Sequence, residues 1–169
     1  MRYHITWGTY GSWLPGDPRG FRTGKGREHV PYDYKNPPPP GLYAGLHAYA
    51  RRSLKKAPVS IPKDLRQAVG CRCLDQFAKE NVAVFVMSVG GEHVHAAIEC
   101  PAEGLKQVIG RAKKVSSHGV RDRIPGRLWQ AGCRAIPVHS DDYWRTLLQY
   151  IQDHAPHAWV WFRGGGAGE

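Results

Sequence analysis

The chain has 169 residues, with 24 Lys and Arg against 14 Asp and Glu, a formal net charge of +10. That length suits one domain with a sizeable core, and the excess of cations favours a polyanionic partner, nucleic acid ahead of a membrane surface because no basic amphipathic helix of lipid-binding type stands out. The opening MRYHITWGTY has no apolar signal core and no window approaches the roughly 18 apolar residues of a spanning helix, so a cytoplasmic protein without a membrane partner is expected.

Tyr3 to Tyr10 alternates and is rich in aromatic and β-branched residues, which predicts a first strand. The stretch GSWLPGDPRGFRTGKGREHVPYDYKNPPPPG is too rich in Gly and Pro for regular structure and reads as a long insert over 11–41. It mixes Arg19, Arg22, Lys25 and Arg27 with Trp13, Phe21, Tyr32 and Tyr34, the combination that grips phosphates and stacks unpaired bases. Those aromatics serve equally well as a cover for the core. Leu42 to Lys56 reads as a helix with Leu46, Tyr49, Ala50 and Leu54 inward.

After Pro58 and Pro62, Asp64 to Glu80 carries Leu65, Val69, Cys73 and Phe77 at i, i+4 spacing, flanked by Ala68, Leu74 and Ala78, and predicts an amphipathic helix. Asn81 to Cys100 then reads as two strands joined at Gly90-Gly91. Alternation puts His93, His95, Ala97 and Glu99 on one face and Val94, Ala96 and Ile98 on the other. Two imidazoles two residues apart on a strand project in parallel and can reach one metal ion, although such pairs also occur as polar residues on a wet face.

A second helix follows Pro101, with Leu105, Val108, Ile109, Ala112 and Val115 inward and Lys106, Lys113 and Lys114 outward, a basic face for solvent or for phosphates. Arg127 to His139 reads as a strand interrupted by Gly132 and Pro137. Ser140 is an apt N-cap for a third helix, with Asp141 and Asp142 in its first turn and Trp144, Leu147, Leu148, Ile151 and Ala155 as its buried stripe. Tyr150 and His154, one turn apart, face the same way. Residues 157–169 read as a tail, docked only if Trp159, Trp161 and Phe162 hold it. Without a Cys-x-x-Cys pair, Cys71, Cys73, Cys100 and Cys133 read as small buried hydrophobes. The order of elements predicts an α+β, ferredoxin-like βαββαβ core with an antiparallel sheet, the insert after the first strand, and a C-terminal tyrosine-bearing helix partly covering the histidine face.

Paired histidines on such a sheet, followed by a helix with a lone tyrosine, resemble the HUH single-tyrosine transposases of the insertion-sequence and REP-associated type. The resemblance runs in order through the aromatic opening strand, EHVHAAIE, the Lys-bearing helix, RLWQ and YIQDH, from Tyr3 to Pro156, and GTYGSWLPGDPRGF resembles an insert of one branch. It departs four residues after Tyr150, where relatives carry Gln or Asn, often as Tyr-Ile-x-x-Asn-Pro, and this chain has His154-Ala155-Pro156.

The resemblance implies a metal-dependent single-strand DNA nuclease and strand transferase. Tyr150 would be the catalytic nucleophile forming a 5′-phosphotyrosine, and His93, His95 and His154 would be ligands of Mg2+ or Mn2+, with Gln152 and Asp153 as fallback donors. It further implies hairpin DNA as partner, nucleoid association when bound, and either a monomer or a homodimer whose tyrosine helix serves the other subunit's histidines. Two other readings stay open. One is a catalytically silent relative that regulates by binding DNA or RNA hairpins; the other is a metal-dependent hydrolase built on His93, His95 and Glu99.

Overall fold

The structure, a computed structural model, describes residues 1–19, 21 and 37–165. The chain divides into two compact units, Met1–Tyr10 with Ser60–Glu169 and Gly11–Val59. The insert is thus longer than the expected 11–41 and takes in a helix of its own.

The first unit contains a five-stranded sheet of β1 (Arg2–Gly8), β2 (Ala83–Val89), β3 (His93–Glu99), β4 (Arg134–Val138) and β5 (Trp159–Phe162) in the order β4-β1-β3-β2-β5. Every neighbouring pair is antiparallel. The first four strands have the ferredoxin-like order. β5 corrects the reading of the C-terminus as a tail: residues 159–162 pair with β2 through Val89↔Trp159 to Val86↔Phe162. Alternation explains why. Trp159 and Trp161 face one side of the sheet while Val160 packs on the other, beside the core of the last helix.

On one face lie α2 (Lys63–Lys79) and α3 (Leu105–Gly119), flanking the predicted order; α1 belongs to the insert. Val69, Cys73 and Phe77 of α2 and Leu105, Ile109 and Ala112 of α3 are buried, as their spacing requires. Gly70 lets α2 approach the sheet closely, since a Cβ there would lie 1.9 Å from the indole of Trp159. Trp7 of β1 meets Trp129 edge-on, and the Trp129 indole N–H donates to Ser116 Oγ of α3 at 3.1 Å, which ties that helix to the same side.

The opposite face carries α4 (Asp141–Gln152). Ser140 caps it, its hydroxyl accepting from the Tyr143 N–H at 3.3 Å. Trp144, Leu147 and Ile151 bury against Val86, Ala97 and Val138. Large apolar side chains contribute about 1.5–3 kcal/mol each when fully buried and a serine cap about 1 kcal/mol, so packing rather than capping holds the helix in place. Ala155 lies past the helix end and is exposed, not part of the buried stripe. The strand expected over Arg127–His139 is confined to β4, with Trp129 making only an isolated bridge to Thr9. Of the cysteines, Cys73 and Cys100 are buried, Cys133 is intermediate and Cys71 is exposed on the outer side of α2; all four are free thiols.

In the second unit α1 spans Ala44–Arg52 and buries none of its residues. Leu46 and Tyr49, expected inward, are exposed, and the first turn of the helix packs instead on Gly16, whose φ of +82° favours glycine and where a Cβ would clash at 2.5 Å with the His47 backbone nitrogen. Among the described residues no helix is long and apolar enough to cross a membrane.

Candidate active site

Strand register assembles the site. On the face turned toward α4, one row across the sheet reads Arg134, Thr6, His95 and Ser88, and the next reads Ile136, His4, Ala97 and Val86. His93 sits opposite Gly8, one row nearer the hairpin. Neighbours on a strand face stand close enough for long side chains to meet, and here the rings do. The centroids of His93 and His95 are 4.9 Å apart, and His4 stacks on His95 at 5.3 Å.

The third imidazole comes from beyond α4. That helix ends at Gln152, so His154 lies in the turn that follows, its N–H donating to the Ile151 carbonyl at 3.3 Å. The predicted proximity of Tyr150 and His154 nevertheless holds, with rings 4.7 Å apart. His154 is 4.9 Å from His95 and 6.4 Å from His93, and Tyr150 is 5.7 Å from His95. Tyr150 keeps 44% of its surface open to solvent. His154 Nδ1 lies 2.9 Å from Ser88 Oγ, and His95 Nδ1 lies 3.1 Å from His4 Nε2.

Burial keeps His4, His95 and His154 neutral. Burial, then the neighbouring His93, His4 and His154, push the His95 imidazole down to about 2. Burial, with Arg134 and His154 adding to it, takes His4 to about 4. Burial also lowers His154, helped by His93 and opposed by Asp153. Neutral imidazoles have lone pairs to offer a metal ion. Among the described residues, no three His, Cys, Asp or Glu side chains already stand in an arrangement that would hold one. What fits is the donor chemistry: three converging imidazoles, two of them kept neutral by burial. Of the fallback donors, Asp153 is exposed and accepts from Gln149 Nε2 at 2.7 Å, and Gln152 is only part-buried.

The family model described as "Transposase IS200 like" matches residues 55–154, more than half of the chain and the whole stretch from His93 to His154. The chain belongs to the IS200-like transposase family. No curated protein sequence matches it. Among solved structures, a candidate transposase from Deinococcus radiodurans R1 is 12% identical, with a TM-score of 0.48 over 90% of this chain and 89% of that one.

As a transposase the protein acts on DNA, and its remaining sequence-predicted contacts are scattered. Lys106 and Lys114 are exposed on α3, behind the sheet from the imidazoles. Lys113 is turned inward, donating to the carbonyls of Gln130 at 2.8 Å and Gly132 at 2.5 Å, and burial lowers its pKa. It staples α3 to the segment before β4. In the insert, Arg19 donates to both Asp17 carboxylate oxygens and to the Ser12 carbonyl, and its guanidinium stacks 4.4 Å from the Trp13 ring. Burial would raise the Asp17 carboxyl, but the Arg19 hydrogen bonds outweigh it and the net shift is downward. Arg19 thereby shapes its own turn, while Trp13 stays 42% exposed. Arg22, Lys25 and Arg27, with Tyr32 and Tyr34, lie outside the described residues.

Three site residues escaped the sequence reading: His4, Ser88 and Arg134. Alternation within Tyr3–Tyr10 puts His4 and Thr6 on one face, but nothing local says which face of β3 they join. Only the long-range register does.

Proposed function

We propose that this transposase cuts and rejoins single-stranded DNA, with Tyr150 as nucleophile and His93, His95 and His154 as ligands of one divalent ion. The observation that carries the reading is the convergence of the Tyr150 ring on His95 and His154, at 5.7 and 4.7 Å. The phenolic oxygen attacks the phosphorus as its proton leaves. The bond to the 3′ oxygen breaks, that oxygen gains a proton, and a 5′-phosphotyrosine results. Because the new ester conserves the phosphodiester, a second 3′-hydroxyl can displace Tyr150 and reseal the strand without an external energy source.

A bound divalent ion would supply charge stabilisation at the non-bridging phosphate oxygens. Three nitrogen donors suit Mn2+ or Zn2+ better than Mg2+, which prefers oxygen ligands. Exposed Arg134, across Thr6 from His95, offers a cation for the DNA backbone on the imidazole face. An unpaired strand brings its phosphates to an open sheet face more readily than a duplex does, and hairpins flanking the cut are the partner this reading favours. The hydrolase reading loses support because Glu99 lies four residues along β3 from His95, about 13 Å away.

The test is to incubate the protein with a library of single-stranded hairpins and Mn2+ and sequence what stays covalently attached. A denaturation-resistant adduct is expected from the wild type and none from Tyr150→Phe, whose hairpin binding should change no more than a few-fold. Binding without any adduct would leave the silent hairpin-binding regulator as the better reading, and an adduct persisting in Tyr150→Phe would point to Tyr143.

A further inference from the structure

The two imidazoles nearest Tyr150 share a feature: each already has its Nδ1 nitrogen engaged. His95 Nδ1 meets His4 Nε2 at 3.1 Å, with the two rings stacked at an interplanar angle of 24°. His154 Nδ1 meets Ser88 Oγ at 2.9 Å. A neutral imidazole carries one proton and one ring lone pair, and the partner of one nitrogen decides what the other can do. If Nδ1 donates, Nε2 keeps the lone pair; if Nδ1 accepts, Nε2 carries the proton and can hold no metal.

We infer that His4 and Ser88 are positioning residues, each accepting the Nδ1 proton of its neighbour so that the Nε2 lone pairs of His95 and His154 are left for one divalent ion. The inference rests on the metal-bound reading above and adds how the ligands are prepared. Each contact uses a single proton: His4, accepting at Nε2, keeps its own on Nδ1, and the Ser88 hydroxyl uses an oxygen lone pair.

The two partners come from the strands on either side of β3. Ser88 is 1% exposed on β2, directly across from His95, and His4 is on β1 across from Ala97. Strands on both sides of β3 therefore orient the ligands, one for the sheet imidazole and one for the imidazole that arrives from the turn after α4. The second contact has an added effect. His154 lies beyond the last helical residue, and the Ser88 hydrogen bond ties its ring to β2. Outer partners of this kind typically alter metal affinity by about 10–100-fold when removed.

The experiment reads the tautomers directly. Long-range 1H–15N correlation spectra of the metal-free protein near neutral pH should show His95 and His154 protonated on Nδ1; protonation on Nε2 in either ring overturns the assignment for that ring. A Mn2+ titration followed by electron paramagnetic resonance then tests the consequence. His4→Phe keeps a stacked ring without an acceptor and should bind Mn2+ about 10–100-fold more weakly, whereas His4→Gln, whose amide oxygen reaches the place of Nε2, should recover most of the loss. Ser88→Ala and Ser88→Thr make the same comparison for His154. Wild-type affinity in His4→Phe and Ser88→Ala overturns the positioning role. If the wild type binds no Mn2+, the metal-bound reading fails, while the tautomer pattern still decides the hydrogen bonds separately.

Discussion

The ring of Tyr150 stands 5.7 Å from that of His95 within a single chain. On the proposed roles, nucleophile and ligand meet within one polypeptide, which makes the cis arrangement the one to test. Mixing Tyr150→Phe with His95→Ala tests this. Neither protein should form a DNA adduct alone, and the mixture should form none either. Recovery of adduct in the mixture would show that the tyrosine of one subunit serves the histidines of another.

His154 stands where the family resemblance led to the expectation of Gln or Asn, and its replacement separates ligand chemistry from packing. His154→Gln supplies an amide oxygen and should retain substantial cleavage, while His154→Ala should cleave severely less with DNA binding retained. Because burial lowers the His154 pKa, wild-type cleavage should hold to somewhat below the ordinary imidazole pKa of 6.5 before acid reduces it. His154→Gln should be less acid-sensitive. Cleavage by His154→Ala equal to the wild type at limiting Mn2+ would remove the residue from the site.

Acid should also act on the fold. His4 and His95 have folded pKa values of about 4 and about 2, both below the 6.5 of a free imidazole. Above 6.5 neither state carries these protons and the two groups contribute nothing to the pH dependence. As pH falls below 6.5 the unfolded chain binds protons that the folded chain refuses, so stability is lost progressively down toward about 4, and further for His95. Urea midpoints measured in EDTA across this window should fall in the wild type and fall less in His4→Gln. A midpoint independent of pH there would contradict the burial of these rings as neutral bases.

DNA binding should weaken steeply with salt, each phosphate neutralised on a single strand adding about −0.7 to the log–log slope. Arg134→Ala, on the imidazole face, should reduce the magnitude of that slope by about 0.7 and weaken cleavage. Lys113→Ala should instead lower thermal stability with little change in slope, because its ammonium is already spent on two backbone carbonyls. An unchanged slope for Arg134→Ala would place the backbone contacts elsewhere.

What could be read from the sequence was whatever local pattern decides. Alternation in HVHAAIE, the i, i+4 stripe of α2 and the Ser140 cap with its two aspartates each specify an element without help from the rest of the chain. His93, His95, Tyr150 and His154 were legible for that reason and through the family pattern. His4 and Ser88 were not, because their meeting with His95 and His154 spans 91 and 66 residues and depends on register. β5 was hidden by its brevity and by Gly-rich sequence after it, and only the free edge of β2 gives its four residues a reason to be extended. Lys113 misled because helical periodicity puts it beside Lys114, whereas a long flexible stem can fold back onto carbonyls that no helical wheel displays.

The path of the chain around α4 has a mechanical consequence. The helix leaves from β4 at one edge of the sheet and returns to β5 at the other, so it lies across the sheet as a strap fastened at both ends. The second fastening is locked from behind, where Trp159 seats over Gly70. Delivering Tyr150 to a second molecule would mean stripping β5 from β2 and lifting the Trp144, Leu147 and Ile151 side chains out of their shared core. On the proposed function, this fastening predicts that rearrangement of the strand ends falls to the DNA, its free 3′ end swinging around a tyrosine that stays where it is.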